Sequence, residues 1–246
     1  MLGAVSAIAA ALLEPLVSAP AQTGIFLDFD GVLAPIVLHA EDATVPPETR
    51  LELERLAGRY ALVSVVSGRA GDDVRARVDI AGIAYVGSHG LELDPAAEHW
   101  RDQIRDFAAT APWPPERTEL KGLSVAFHFR GVEDAAAALH ELELLAERAT
   151  DEGLSPRFGR KVMEVLPPTG SNKGTAVRQL LERKQLTQAL VAGDDTTDID
   201  AFRAVAGLVH AVRVAVVSEE SPTVLRDEAD IVVESTAEFL ELLRRL

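Results

Sequence analysis

At 246 residues the chain can bury a sizeable core, as one large domain or two smaller ones. Apolar residues make up 48% and charged residues 26%, ordinary for a soluble globular protein, and a formal charge of −15 argues against nucleic-acid and anionic-membrane partners. There is no cysteine, which excludes disulfides, thiolate catalysis and thiolate zinc sites, so any metal must rest on oxygen or imidazole ligands.

The first stretch, Met1 to Ala19, is apolar, but it lacks a basic start and Glu14-Pro15 interrupts it short of a membrane span. It reads as a short helix packed on the domain, with the cytoplasm as the compartment. Ile25 to Phe29 is a buried parallel strand ending in carboxylates, and Pro46-Pro47 opens an amphipathic helix carrying Leu51, Leu53 and Leu56. Ala61 to Val66 and Ile83 to Val86 are further β-branched runs, with a helical segment between them. The stretch from Asp94 to Trp113 is rich in Pro, Ala and charge. Leu123, Val125, Phe127 and Phe129 then alternate with Ser124, Ala126, His128 and Arg130, the period of a half-buried antiparallel strand. A helix from Glu133 to about Thr150 and a strand near Arg160 to Leu166 follow.

Asn172 or Ser171 can cap a helix from Lys173 to Lys184; Ala189 to Ala192 is a strand and Asp198 to Ala206 a helix. Val212 to Val217 and Ile231 to Val233 are strand-like, and the last helix opens on a capping box of Ser235 and Glu238. Alternating strands and helices predict an α/β fold with a parallel sheet covered by helices on both faces, carrying an inserted α+β unit. The expected division is a core from residues 1–93 and 169–246 and an insert over 94–168.

Two carboxylates, Asp28 and Asp30, leave the end of the first strand, where Gly31 permits a tight turn. Ligands of a parallel sheet sit beyond the carboxyl ends of its strands, and two close buried carboxylates need a cation. They can equally be turn formers. Gly193-Asp194-Asp195-Thr196-Thr197-Asp198 follows another buried strand; Asp198 or Thr197 can cap the next helix, whereas Asp194 has no capping role there. Hard oxygen ligands on two strand ends suit Mg²⁺. Ser67-Gly68-Arg69 offers a hydroxyl and backbone N–H groups at a strand-to-helix turn that can hold phosphate oxygens, though Ser-Gly is also a common turn. Lys173 stands at the positive end of a helix, a placement that makes sense beside an anion and is otherwise that of a solvated lysine.

In this order, Asp-x-Asp, Ser, Lys and Gly-Asp-Asp, the segment Asp28 to Asp198 resembles the haloacid dehalogenase-like (HAD) phosphatases. That resemblance implies a Rossmann-like core with a cap domain over 94–168, and a Mg²⁺-dependent phosphoric monoester hydrolase working through an aspartyl-phosphate. It implies Asp28 as nucleophile, Asp30 as general acid and base, and Ser67 and Lys173 on the phosphoryl oxygens. The metal would rest on Asp28, the backbone carbonyl of Asp30 and Asp194, supported by Asp195 and Asp198. Gly87-Ser88-His89-Gly90-Leu91-Glu92, Glu119-Leu120-Lys121, His128-Phe129-Arg130, Lys161-Val162-Met163-Glu164-Val165 and Asn172-Lys173-Gly174, with Ser67-Gly68-Arg69, look like the trehalose-6-phosphate phosphatases. By that resemblance Gly68, Arg69, His89, Glu119, Lys121, His128, Arg130, Lys161, Glu164 and Asn172 would face a small sugar phosphate.

On a regular strand Lys161 and Glu164 point to opposite faces, so either a bulge intervenes or only one touches substrate. His89 can equally be a structural turn residue. Val32, Leu166 and Ile199 depart from the family pattern, which usually has Thr, a basic residue and an acidic residue there. Rival readings are another HAD sugar phosphatase, for sucrose phosphate or a mannosyl phosphate, and a silent sugar-phosphate sensor.

Overall fold

The structure, a computed structural model, describes residues 2–37, 39–159, 161–219 and 221–246. Helix α1 (Leu2–Ser18) is followed by β1 (Thr23–Leu27), α2 (Pro47–Arg59), β2 (Leu62–Val66), α3 (Gly71–Val78) and β3 (Ile83–Val86). The middle of the chain supplies α4 (Arg101–Thr110), β4 (Thr118–Leu120), β5 (Val125–His128), α5 (Ala135–Asp151), β6 (Ser155–Gly159) and β7 (Val162–Leu166). Then come α6 (Lys173–Lys184), β8 (Gln188–Gly193), α7 (Thr196–Ala204), β9 (His210–Val216), α8 (Thr223–Glu228), β10 (Ile231–Val233) and α9 (Thr236–Leu243). These elements form two compact units, Met1–Gly90 with Asn172–Leu246, and Leu91–Ser171.

The first unit is built on a six-stranded parallel sheet in the order β10-β9-β8-β1-β2-β3. Every residue of β1, β2 and β8 is buried, as strands covered by helices on both faces must be. Leu13 and Leu16 of α1 join the core formed with Ile25, Leu53, Val63, Leu190, Val212 and Phe239. His210 Nε2 adds a 2.8 Å hydrogen bond to the Leu12 carbonyl, so α1 belongs to this unit despite Pro15 inside it. The winding direction reverses between β1 and β8, which leaves a crevice beyond their carboxyl ends.

The second unit is an antiparallel sheet, β4-β5-β7-β6. Val125, Phe127, Met163 and Val165 pack one face onto Ile104 and Phe107 of α4 and Leu142 and Leu145 of α5. Across the other face Glu119, Ala126, Glu164 and Arg157 stand side by side in register.

Several boundaries differ from the sequence reading. Helix α7 starts at Thr196 rather than Asp198 because Asp195, neither Thr197 nor Asp198, is its N-cap. In α9 Ser235 accepts from Glu238 N, but the Glu238 carboxylate takes the Glu234 N–H instead of closing the box on Ser235. Ser124 and Ala126 are buried, so the alternating strand is covered along that side rather than half solvated. Residue 160, the expected start of a strand, lies outside the described residues; β7 begins at Val162. Strand β6 has no apolar pattern, holding Pro156 and Gly159, and it survives as an edge strand, where proline is tolerated. Among the described residues no helix is long and apolar enough to cross a membrane.

Candidate active site

Asp28 emerges from the end of β1 and Asp194 from the end of β8, on either side of the crevice. Lys173, the first residue of α6, reaches between the two strand ends. Its Nζ lies 2.9 Å from Asp28 Oδ2 and 2.8 Å from Asp198 Oδ1. Asp198 is only 2% exposed, and its other oxygen accepts the N–H groups of Asp194 at 3.0 Å and Asp195 at 3.1 Å. Its carboxylate thus fixes the turn that aims Asp194. The first turn of α6 packs against α7 one turn in: a Cβ on Gly174 would lie 2.3 Å from the Asp200 carbonyl oxygen. Asn172 caps α6 through a capping box with Thr175, its Oδ1 accepting Thr175 N at 2.9 Å. Asp195 does the same for α7 with Asp198.

Burial pushes the Asp28 carboxyl up to about 7, against the pull of Lys173, and the charges of Asp198 and Asp30 add to the rise. Burial would lower Lys173, but Asp198 and Asp28 outweigh it and hold its ammonium above the usual lysine range. Asp28, Asp194 and Asp198 bring carboxylate oxygens within 4.8 Å of one another. Three buried carboxylates stand beside one ammonium here. Hard oxygen donors on two strand ends fit a divalent metal ion and lack the sulfur or imidazole that softer metals prefer. Asp198 already spends both oxygens on Lys173 and two backbone N–H groups. Asp28 is engaged likewise, Oδ2 by Lys173 and Oδ1 by Phe29 N at 2.7 Å; Asp28 and Asp194, at the two strand ends, could hold such an ion.

Asp30 is held apart from this cluster. Arg69 grips its carboxylate with two bonds, Nε to Oδ2 at 2.7 Å and Nη2 to Oδ1 at 2.8 Å. Arg69 is 8% exposed, lies over the Phe29 ring at 5.2 Å, and donates to Asp73 Oδ2 at 3.1 Å and to the Ala40 carbonyl at 2.9 Å. The acidic neighbours outweigh burial and raise the Arg69 guanidinium. Ser67 is buried at the end of β2, its Oγ accepting Arg69 N at 3.2 Å and its carbonyl accepting His89 N at 2.9 Å. His89 has φ 55° and sits so close over Gly68 that a Cβ there would lie 2.6 Å from Cε1.

In the second unit Glu164 accepts from Ser124 Oγ at 2.9 Å and pairs with Lys121 Nζ at 3.2 Å. Glu119 Oε2 meets His128 Nε2 at 3.0 Å, both half exposed. Lys161 does not lie on the strand: it occupies a turn at φ 58° and its Nζ stands 5.5 Å from the Phe129 ring centre. The Arg130 carbonyl accepts from Arg117 at 2.9 Å, just past the end of β5. Of the residues singled out from sequence, Asp28, Lys173, Asp194 and Asp198 form one buried cluster, with Asp195 at its edge as a cap. Asp30, Arg69, Ser67, Gly68 and His89 form the adjoining group in the same unit. Glu119, Lys121, His128 and Glu164 share one face of the second sheet.

Sequence reasoning missed Asp73, Arg77 and Ser124. Asp73 binds Arg69 and also Arg77, whose Nε lies 2.9 Å from Asp73 Oδ1. The four-residue spacing of Arg69, Asp73 and Arg77 was the available signal.

A parallel sheet in this strand order, with acidic residues and a lysine gathered where its winding reverses, defines an α/β protein with a Rossmann-like core, a fold similar to that of a haloacid dehalogenase-like hydrolase from Bacteroides thetaiotaomicron (TM-score 0.61 at 15% identity over 91% of this chain and 99% of that one). Within that class, residues 26–230 match the trehalose-phosphatase family, and the chain belongs to it. An uncharacterized glycosyl hydrolase of Mycobacterium tuberculosis is 34% identical, with 75% of this chain and 15% of the relative covered. The trehalose-phosphate phosphatase of Mycobacterium marinum is 32% identical, with 75% of this chain and 52% of the relative covered. The chain spans about half the length of the trehalose-phosphate phosphatases it matches. The C-terminal domain of C. albicans trehalose-6-phosphate phosphatase has a similar fold, with a TM-score of 0.75 at 18% identity over 95% of this chain and 94% of that one.

Proposed function

We propose that this chain is a Mg²⁺-dependent phosphatase that hydrolyses trehalose 6-phosphate to trehalose and phosphate. The observation that carries the reading is the buried Lys173, fixed between Asp28 and Asp198 with Asp194 alongside. A carboxylate cannot approach a phosphate dianion unless positive charge surrounds both. Asp28 attacks phosphorus in line and becomes the phosphorylated group, while the sugar oxygen leaves with a proton from Asp30. Asp30 then takes a proton from the water that cleaves the aspartyl-phosphate. Lys173 and the Ser67 hydroxyl hold phosphoryl oxygens through both steps.

Mg²⁺ would rest on Asp28, Asp194 and the backbone carbonyl of Asp30, neutralising charge on the phosphoryl group and on Asp28. Asp198 orients Asp194 through the backbone, and Asp195 secures the same turn. The second unit is the cap domain in this reading. Its Glu119, Lys121, His128, Arg130, Lys161 and Glu164, with Gly68, Arg69, His89 and Asn172, recognise the hydroxyls and phosphate of the sugar. The bonds of Glu119 to His128 and of Glu164 to Lys121 and Ser124 hold those carboxylates in place, which suits hydroxyl donors. A cytoplasmic location belongs to the same reading.

Phosphate release from trehalose 6-phosphate, with Mg²⁺ and with excess EDTA, tests it. Release lost on chelation supports metal, reaction and substrate together. Faster turnover of sucrose phosphate or a mannosyl phosphate would keep the mechanism and overturn the substrate; no turnover of any ester would favour a silent sensor.

A further inference from the structure

Asp30 is built into a chain of alternating charges, Asp30–Arg69–Asp73–Arg77, that runs from the crevice into α3. The two ends of Arg69 differ. Toward Asp30 it commits Nε and Nη2; toward Asp73 it commits Nη1. Asp30 is about one third exposed on its side chain, whereas that of Arg69 is 9% exposed. If the Asp30 carboxylate turns toward a leaving oxygen, Arg69 loses the partner that neutralises it. Were Asp30 its only counter-ion, the buried guanidinium would be left uncompensated and would oppose that movement.

We propose that Asp73 is a positioning residue for Asp30: it holds Arg69 in a second ion pair, so that Asp30 can leave the guanidinium and reach the substrate. The inference rests on the reading of Asp30 as the acid of the reaction. The geometry is built for such an exchange. When Asp30 departs, Arg69 stays fixed by Asp73, by the Ala40 carbonyl and by the Phe29 ring beneath it. Asp73 is itself anchored, since Arg77 donates to both of its oxygens and to the carbonyls of Glu41 and Ala43. Without the Asp73 charge, Arg69 would belong to Asp30 alone and hold it in the resting position.

The test compares two substrates that need the acid to different extents. A sugar alkoxide leaves only with a proton, whereas nitrophenolate leaves without one. Asp73→Asn should lower kcat on trehalose 6-phosphate by about tenfold with little change in KM, and keep kcat on p-nitrophenyl phosphate within about twofold. Asp73→Glu, which keeps the charge, should restore much of the lost kcat. Equal loss on both substrates in Asp73→Asn, or no loss on either, overturns the proposal. Should Asp73→Asn fail to fold, Arg77→Gln decides: it removes the anchor of Asp73, so kcat on trehalose 6-phosphate relative to p-nitrophenyl phosphate should fall severalfold. An unchanged ratio would sink the idea. Asp30→Asn separates this proposal from the reading beneath it. If Asp30→Asn loses sugar-phosphate turnover selectively and Asp73→Asn does not, only the positioning role fails; if Asp30→Asn loses both alike, the acid reading fails first.

Discussion

Gly31 and Asp194 stand so close that a Cβ on Gly31 would lie 2.2 Å from Asp194 Oδ2, and Gly31 has φ 77° besides. The turn after β1 and the turn after β8 therefore exclude any side chain between them. Gly31→Ala must displace the Asp194 carboxylate, and the left-handed backbone adds strain. Apparent Mg²⁺ affinity, read from the metal dependence of phosphate release, should weaken by about 10- to 100-fold. An unchanged metal dependence would remove Asp194 from the metal set.

Lys173 is the only cation within hydrogen-bond distance of Asp28 among the described ion pairs, and it also holds Asp198. Lys173→Met should abolish turnover and, without metal, destabilise the fold by about 3–5 kcal/mol, because two buried carboxylates lose their partner. Added Mg²⁺ should recover part of the lost thermal stability by binding the folded state. Denaturant melts with and without Mg²⁺ measure both effects; equal destabilisation in the two conditions would argue that no metal binds beside Asp28.

Glu119 and His128 form a half-exposed pair on the second sheet. Such a pair adds little to stability, so Glu119→Gln should change it by no more than about 0.5 kcal/mol. If Glu119 meets a sugar hydroxyl, the same variant should raise KM for trehalose 6-phosphate by about tenfold and leave p-nitrophenyl phosphate unaffected. Identical loss on both substrates would place the effect outside sugar recognition.

Asp230 and Arg213 tie β10 to β9 through two side-chain bonds, at 2.7 and 2.9 Å, and a backbone N–H bond at 2.8 Å. Burial would raise Asp230, but Arg213 outweighs it and holds the carboxyl below its usual value of 3.8. A depressed folded-state value means that the pair stabilises above the unfolded value and that this stability is lost as pH falls through the folded one. Asp230→Asn should therefore cost about 1–2 kcal/mol at pH 7, and the difference from the natural protein should shrink below pH 4. A difference constant from pH 7 to pH 3 would contradict the assignment.

The parallel sheet was legible because β1, β2 and β8 are short, mostly apolar runs followed by chemistry-bearing residues. Asp28, Lys173 and Asp194 were legible for the same reason: each stands at a strand or helix end where charge is otherwise hard to explain. The start of α7 was not, since Asp195, Thr197 and Asp198 are all capping types and the side-chain bonds that choose Asp195 as the cap, with Asp198 turned back to accept from Asp194 N and Asp195 N, are not written in residue type. Strand β6 was hidden by Pro156 and Gly159, which a paired edge tolerates but local propensity does not advertise. Lys161 and Glu164 looked incompatible on one strand; the turn at Lys161 removes the conflict by taking Lys161 out of the strand altogether.

The contact of Gly174 with the Asp200 carbonyl has a consequence for how this protein tolerates change. The separation of Lys173 from Asp198 is set by two main chains in touch, so thermal hopping among side-chain rotamers scarcely alters it. The same arrangement concentrates vulnerability in one place. A single added methyl at position 174 would wedge the start of α6 away from α7 and dismantle the charged cluster, although it neither adds nor removes a single ionisable group.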